Sequence, residues 1–127
     1  MSMHPFADLV GLSVTKMKDG ESECRLEARP ELFNPQGVMH GATLYALADT
    51  GMGGALYTLL EQGELCATID LTISYFAAIR EGEIVCKTRV LNNFFFNDTA
   101  TTEIYTGETL AAKAMGSFAV FRPSKNT

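Results

Sequence analysis

The feature that most constrains this chain is the stretch of residues 41–60, which carries a single charged side chain, Asp49. Apolar or small residues recur there with helical spacing, at positions 44, 47, 48, 51, 52, 55, 56 and 59. Because they occupy most of the helix circumference, the pattern predicts a helix that is buried on most sides. A membrane span has a comparable length, but the central acid and the glycines at 51, 53 and 54 favour a helix inside a globular domain, where glycines allow close approach by another backbone.

The segments around this helix predict a hairpin and further antiparallel strands. The hairpin is expected over residues 12–29, because Asp19 and Gly20 suit the two positive-φ positions of a type I′ turn. A short helix over residues 5–10 precedes it. Alternation and β-branched residues predict strands over 67–77, 83–91 and 109–121. This order of elements indicates an α+β fold in which an antiparallel sheet wraps around one long central helix.

Length and charge narrow the class of protein. A chain of 127 residues fits a single domain over 1–127, and 46% apolar residues exclude intrinsic disorder. Ten Lys and Arg against fifteen Asp and Glu give a net charge of -5, which argues against a nucleic-acid binder and a polybasic membrane anchor. Residues 1–9 lack a cationic segment followed by an apolar one, so we expect a cytoplasmic protein. The cysteines at 24, 66 and 86 lack metal-ligand spacing and are expected to be reduced, buried thiols.

Residues 97–106 read differently from the rest of the chain. Their sequence, NDTATTEIYT, is that of a translated sequencing-adapter oligonucleotide, and a phenylalanine run such as the one at 94–96 often accompanies this contamination. The segment is nevertheless rich in residues that favour strands. We interpret it as a suspected artefact that carries no functional residue. The alternative is a genuine strand, and sequencing of the source DNA decides between the two.

The stretch that leads into the long helix is a candidate for chemistry. Asn34, Pro35 and Gly37 are typical of a turn, and His40 and Gly41 open the helix. Exposed N–H groups at a helix start hold negative charge, and a glycine there lets a carbonyl oxygen approach the backbone closely. The pattern therefore suits an oxyanion hole at Gly41.

Asp49 lies about two and a half turns into the helix, too far for the helix dipole to stabilise its carboxylate. Because burying an unpaired carboxylate is costly, this residue is either a hydrogen-bonded structural acid or it faces a cleft where a reacting group arrives. Structural explanations exist for the loop as well. A single histidine is more often a packed residue than a catalyst, and Asn before Pro is usually a turn former. The residues alone leave both interpretations open.

The spacing of Asn34, Gly37, His40, Gly41 and Asp49 resembles that of the hotdog-fold acyl-CoA thioesterases of the PaaI-like group. The resemblance runs from about residue 6 to residue 121, and it includes the strand ATIDLTISYF, the turn at 80–82 and the closing GETLAAKAMGSF. It implies a hotdog fold, hydrolysis of a small or aromatic acyl-CoA thioester, and no metal or redox cofactor. It also implies a homodimer or homotetramer in which the loop of one subunit faces the helix acid of another.

The resemblance also implies roles for single residues. Asp49 matches the acid that acts either as general base for water or as nucleophile on the thioester carbonyl. Gly41 matches the backbone donor to the thioester oxygen, and Asn34 matches the side chain that positions the attacking water or the substrate. His40 matches a residue that hydrogen-bonds the oxyanion-hole loop or the thioester. Thr68 stands where family members often place a Ser or Thr near the acid.

Two departures from the family pattern bear on the substrate. Ala42 stands where the family commonly has Gly, a change that a helix start tolerates. Near residues 93–96 the family often has a Gly- and Arg-rich turn with basic residues for the CoA phosphates, and here the suspect segment replaces it. The remaining candidates for substrate binding, each of the charged ones otherwise an ordinary surface residue, are Gly37, Arg80, Lys87, Arg89 and Lys113.

Three functions remain open at this point. The first is the acyl-CoA thioesterase. The second is a non-catalytic acyl-thioester binding or regulatory module on the same fold, suggested by the altered basic turn. The third is an enoyl-CoA hydratase or dehydratase, which the spacing favours less because that chemistry generally uses a His and acid pair on an enoyl chain. Thiol release, binding without turnover and hydration distinguish the three.

Overall fold

The computed structural model describes residues 4–93 and 98–123, with residue 93 described for its backbone only. Within these residues the strands form one antiparallel sheet in the order β1-β2-β4-β5-β6-β3. Helix α2 packs against the concave face of this sheet, which confirms the expected α+β hotdog architecture. The elements in chain order are α1 (Pro5–Val10), β1 (Ser13–Lys18), β2 (Glu21–Glu27), a 3₁₀ turn (Pro30–Leu32), α2 (Gly41–Tyr57), β3 (Leu65–Tyr75), β4 (Glu83–Asn93), β5 (Asp98–Thr106) and β6 (Thr109–Phe121).

The hairpin turn between β1 and β2 is the one that its sequence predicts. Asp19 has a φ of 52° and Gly20 a φ of 79°, which are the two left-handed conformations of a type I′ turn. The Gly20 carbonyl accepts from the Val90 N–H at 2.8 Å, and the Gly20 N–H donates to the Thr58 hydroxyl at 2.7 Å. The turn is therefore tied both to β4 and to the end of α2.

Helix α2 is the buried helix of the prediction, but it ends at Tyr57 rather than at residue 60. Thr58 ends it, because its hydroxyl donates back to the Ala55 carbonyl at 2.7 Å while accepting from the hairpin turn. The glycine at 51 does allow a close approach, although by side chains and not by a backbone. A β-carbon there would lie 2.7 Å from Thr88 Oγ1, and the Ser22 hydroxyl donates to the Gly51 carbonyl at 2.6 Å.

Two strands differ in length from the sequence prediction. β3 starts at Leu65, because Leu65 and Cys66 pair with the end of β6, and it stops at Tyr75 where the prediction continued to residue 77. There the Phe76 and Ala77 N–H groups both donate to the Ala111 carbonyl, so the regular ladder ends. β4 extends to residue 93, and the 3₁₀ turn after β2 was not predicted.

Strand β5 contains all of the suspect segment except residue 97, which lies outside the described residues. It occupies the middle of the sheet between β4 and β6 and buries Ile104 and Thr102, whose hydroxyl lies 2.8 Å from that of Thr88. Asp98 is buried as well, and burial and nearby Glu64 raise the pKa of its carboxyl, an unusual environment for an acid. That the segment derives from an adapter remains a hypothesis.

The two edges of the sheet are β1 and β3, and β3 is the longer. Along and just after β3 several large apolar side chains are exposed, including Ile69 at 58%, Leu65 at 47% and Phe76 at 59%. A long edge strand with exposed apolar groups presents unpaired backbone groups for another strand. No helix in the described part of the chain is long and apolar enough to span a membrane.

Candidate active site

The loop before α2 is held by the side chain of Asn34. Its Oδ1 accepts from the Gln36 N–H at 2.9 Å and from the Val38 N–H at 3.3 Å, while its own N–H donates to the Val38 carbonyl at 2.8 Å. Gly37 completes the turn with a φ of 82°, a conformation that favours glycine. The predicted turn is therefore present, and the amide oxygen of Asn34 builds it. Asn34 also lines the cavity described below.

His40 is the N-cap of α2. Its Nδ1 accepts from the Ala42 N–H at 2.9 Å, and its carbonyl accepts from the Thr43 N–H at 2.9 Å. His40 therefore caps the helix start with its side chain, and its suggested contact with the thioester stays a prediction. The Gly41 N–H lies between the N–H groups of His40 and Ala42, which donate to the Leu32 carbonyl and to His40 Nδ1, and it has no hydrogen-bond acceptor among residues 4–93 and 98–123. It is the available donor at the start of this helix.

The glycine at 41 has a neighbour that the sequence did not indicate. A β-carbon at Gly41 would lie 3.1 Å from the ring and hydroxyl of Tyr75, inside van der Waals contact. The same tyrosine hydroxyl donates to the Gly41 carbonyl at 2.9 Å. Close packing by Tyr75 of β3 therefore favours glycine here, because a β-carbon would require the tyrosine ring to shift by a few tenths of an ångström.

A cavity of about 420 Å³ opens at this loop, and we call it the loop cavity. Its lining is mainly apolar, with the side chain of Asn34 and the backbone of Gly41 among the walls. Tyr75 forms part of the opposite wall. The residues that line it are Asn34, Val38, Met39, Gly41, Leu44, Tyr75, Phe76, Ala77, Ala78 and Ile79.

Asp49 follows the fully buried Leu47 and Ala48 on α2, and it is itself half-buried rather than enclosed. Its Oδ1 accepts a hydrogen bond of 2.6 Å from the Thr68 hydroxyl of β3. This contact brings together two of the predicted site residues from distant parts of the chain. Asp49 also faces an open cleft, so it combines the two alternatives that the sequence left open for it: it is hydrogen-bonded and it is accessible.

The cleft beside Asp49 has a volume of about 820 Å³, and we call it the acid groove. Its walls come from α1, β1 and the outer face of α2. Apolar side chains dominate them, which is typical of sites that hold organic ligands. The lining residues are His4, Phe6, Val14, Met17, Ala42, Tyr45, Ala46, Asp49, Thr50, Gly53, Gly54 and Tyr57.

Within one chain the loop cavity and the acid groove are separate. Asn34 and Gly41 line the first, whereas Asp49 lines the second. Ala42 lines the acid groove and directly follows Gly41, so the two openings lie on either side of the first turn of α2. The predicted site residues are therefore placed around this helix, but one chain does not join them in a single cavity.

The basic candidates lie at two different places. Lys87 and Arg89 alternate along β4 with the buried Cys86 and Thr88, which contact α2, so these cations point to the outer face of the sheet. Lys87 lies between Glu23 and Glu103 of the neighbouring strands. On its own chain, neither Lys87 nor Arg89 faces Asp49.

Arg80 is different, because it is exposed directly after Ile79 of the loop cavity. The Ile79 carbonyl accepts from the Met39 N–H at 2.8 Å, which ties this segment to the loop. Lys113 lies on the outer face beside a small cavity formed with β3. Of the four cations, Arg80 is therefore the one beside the loop.

The three cysteines are free thiols, but Cys66 is only partly buried, whereas the sequence predicted that all three are buried. Cys24 and Cys86 are opposite one another on β2 and β4 and are fully buried. Burial raises the pKa of Cys24 to about 11 and that of Cys86 further, so neither forms a reactive thiolate near neutral pH. In the described residues no group of His, Cys, Asp and Glu side chains is arranged to hold a metal ion.

Comparison with known proteins identifies the family of this chain. The family model of the thioesterase superfamily matches residues 36–93, which include the end of the loop, α2, β3 and β4. A "putative esterase" from Halobacterium salinarum is 30% identical over 131 aligned positions, covering 94% of this chain and 86% of that protein. The match to a second protein with that description, from Archaeoglobus fulgidus, is 30% identical over 74% of this chain but spans only 58% of the relative's length.

Solved structures of similar proteins have the same fold. A conserved protein from Pseudomonas aeruginosa superposes with a TM-score of 0.90 at 34% identity, over 94% of this chain and 95% of that one. A mutant of the phenylacetic acid degradation protein PaaI from Thermus thermophilus superposes with a TM-score of 0.85 at 26% identity, over 94% and 100% of the respective chains. This chain belongs to the thioesterase superfamily and has the hotdog fold.

Proposed function

We propose that this chain, as a single domain, is an acyl-CoA thioesterase that hydrolyses a small or aromatic acyl thioester to the free acid and CoA. One observation carries the proposal. Asp49 stands in an otherwise apolar helix, is hydrogen-bonded by Thr68 at 2.6 Å and faces an open groove, while the first turn of the same helix presents the unpartnered Gly41 N–H. An accessible acid and a fixed backbone donor are the two parts that hydrolysis of a thioester needs.

The chemistry follows from these two groups. The thioester oxygen accepts a hydrogen bond from the Gly41 N–H, which stabilises the negative charge that develops on this oxygen in the tetrahedral intermediate. Asp49 either removes a proton from the attacking water or attacks the carbonyl carbon itself. In the general-base route the new C–O bond joins water to the acyl carbon, the C–S bond breaks, and the CoA sulfur leaves as a thiolate that takes up the proton. In the nucleophilic route the new C–O bond joins Asp49 to the acyl group, the thiolate leaves in the same way, and water then hydrolyses this mixed anhydride to release the free acid and restore the carboxylate. The Thr68 hydroxyl orients the carboxylate through its hydrogen bond.

The active protein is proposed to be a homodimer or homotetramer in which the loop of one subunit meets the Asp49 of another. Two features support this. Asn34 and Asp49 line separate cavities within one chain, and the long edge strand β3 has an unpaired edge with exposed apolar side chains. Pairing at an edge that carries Thr68 and Tyr75 would place both sites next to the interface. In this assembly Asn34 positions the water or substrate across the boundary.

Arg80 is proposed as the contact for the CoA phosphates, because it is exposed at the end of the loop cavity. Lys87 and Arg89 remain proposed contacts only through another subunit, since they point to the outer face of their own sheet. No metal or redox cofactor takes part in the proposed reaction. The role of Asp49 and the stabilisation of the thioester oxygen by the Gly41 N–H are both assigned to groups of the protein itself.

A panel of acyl-CoA thioesters followed by thiol release tests the proposal, with benzoyl, phenylacetyl and short straight-chain acyl groups and with enoyl-CoA hydration measured in parallel. We expect turnover by the wild type and a loss of kcat of about 10²- to 10⁴-fold in Asp49→Asn, the range for removal of a general base. The matched control is Asp19→Asn, which changes an exposed acid of the hairpin turn, away from the start of α2 and from the β3 edge, where Asn also tolerates the positive φ; it should keep wild-type kcat.

Other outcomes would contradict the thioesterase. Saturable binding of the thioesters without thiol release would identify a binding module, and hydration of the enoyl group would identify a hydratase. Near-normal hydrolysis by a folded Asp49→Asn would remove Asp49 from the chemistry.

A further inference from the structure

Tyr75 touches the predicted oxyanion donor in two independent ways. Its hydroxyl donates to the Gly41 carbonyl at 2.9 Å, and a β-carbon at Gly41 would lie 3.1 Å from its ring, closer than ordinary van der Waals contact. No other side chain of the described residues both hydrogen-bonds Gly41 and packs against its Cα. The first residue of α2 is thereby held from the side of β3.

Backbone hydrogen bonds hold the rest of the loop. After β3, the Ile79 carbonyl accepts from the Met39 N–H at 2.8 Å, and the His40 N–H donates to the Leu32 carbonyl at 2.8 Å. The loop is thus fixed at Met39 and His40 by backbone contacts. At Gly41, the residue whose N–H is available, Tyr75 provides the contact.

The same strand holds the acid. Thr68 and Tyr75 both lie on the inner face of β3, and they contact Asp49 and Gly41 of α2 respectively. One strand therefore sets the relative position of the two groups that the reaction requires. Small displacements between such groups are costly in catalysis, because the stabilisation of the transition state depends on fixed geometry.

We propose that Tyr75 is a positioning residue for the oxyanion donor, holding the first turn of α2 so that the Gly41 N–H keeps its orientation toward the thioester oxygen. The inference rests on the proposed thioesterase function. Tyr75 acts through Gly41 and is not itself a reacting group. Desolvation, and to a smaller extent Tyr45, raise the pKa of the Tyr75 hydroxyl, so it stays protonated and able to donate at neutral and mildly alkaline pH.

The first test removes only the hydroxyl. Tyr75→Phe keeps the ring, and we expect kcat to fall about tenfold with KM within about twofold, since loss of a direct oxyanion donor costs about 10²- to 10³-fold and Tyr75 acts one contact away. The matched control is Tyr105→Phe on the outer face, which also removes a tyrosine hydroxyl with a side-chain hydrogen bond, to Glu103. It should keep wild-type kcat. A role in binding alone would change KM and not kcat.

The second test addresses the ring. Gly41→Ala should lower kcat strongly in the wild-type background, because the added methyl group meets the ring. In a Tyr75→Leu background the same change should cost much less, so the two effects should not multiply. If the two substitutions lower kcat independently, so that their effects multiply, the proposal is overturned. The melting temperature of all four proteins shows whether a lower kcat reflects poor folding.

The results separate this inference from the function on which it rests. A wild type that releases no thiol from any thioester overturns both. An active wild type whose Tyr75→Phe variant keeps its kcat, or changes only KM, overturns the role of Tyr75 and leaves the thioesterase in place. An active wild type with a lower kcat in Tyr75→Phe and a normal kcat in Tyr105→Phe supports both.

Discussion

The loop side of the candidate site and its acid side are built in different ways. On the loop side, Asn34, His40 and Tyr75 each make hydrogen bonds that fix a backbone segment, so little is left to move. On the acid side, Asp49 has a single hydrogen bond from Thr68 and faces a groove about twice as large as the loop cavity. The loop side therefore holds its backbone donor in place, whereas the acid side leaves its carboxylate accessible to a reactant.

This contrast also explains why the two sides open separately. The loop side closes on itself and on β3, whereas the acid groove is bounded by α1 and β1 on the other side of α2. A substrate that must meet both sides therefore needs a surface that one chain does not provide. In the proposed assembly, a second copy supplies this surface at the unpaired edge of β3, next to Thr68 and Tyr75.

The rigidity of the loop side can be tested at Asn34, where two roles are combined. Asn34→Ala removes the oxygen that accepts from Gln36 and Val38, and we expect the free energy of unfolding to fall by about 1–2 kcal/mol, with kcat/KM about 30-fold lower. Asn34→Asp keeps an acceptor oxygen but loses the NH₂ group.

We expect Asn34→Asp to keep the stability of the wild type, measured by urea unfolding, while kcat/KM still falls about tenfold because the NH₂ group positions the water or substrate. Wild-type activity in this variant would limit Asn34 to turn formation. Unchanged stability in Asn34→Ala would contradict the turn-forming role.

A smaller effect is expected for the cations. Arg80 adjoins the loop cavity and Lys87 lies on the outer face between two acids, so Arg80→Ala should raise KM for a CoA thioester about fivefold and Lys87→Ala should change it by less than about twofold. The same acyl group on pantetheine, which lacks the nucleotide phosphates, is the control substrate. Its KM should be equal in all three proteins. A larger effect of Lys87 would place the nucleotide against the outer face of another subunit.

The elements of the fold were largely predictable, because their signals are local. The positive-φ turn at Asp19 and Gly20 and the apolar periodicity of α2 depend on a few neighbouring residues, and the structure reproduces both. Element ends were less predictable. Thr58 ends α2 through its contact with the hairpin turn, a residue far away in the sequence, so the apolar pattern that continued to residue 60 was misleading.

The site was predictable only in part for the same reason. The spacing of Asn34, Gly41 and Asp49 identified residues that the structure arranges around the first turns of α2. Tyr75 was missed, because a tyrosine in a predicted strand carries no mark of a contact with a glycine 34 positions earlier. The placement of Lys87 on the outer face was available from the alternation of β4, but only once the face that packs on α2 was known.

The central claim is that each active site combines the loop of one subunit with the Asp49 of another. Mixing Asn34→Ala with Asp49→Asn, after unfolding and refolding the two inactive or weakened proteins together, tests it directly. In a mixed dimer one site receives both substitutions and the other receives neither. Random mixing should therefore restore about a quarter of wild-type kcat/KM, far above either protein alone. If each site belongs to a single chain, the mixture will show only the average of the two separate activities, and the claim will be wrong.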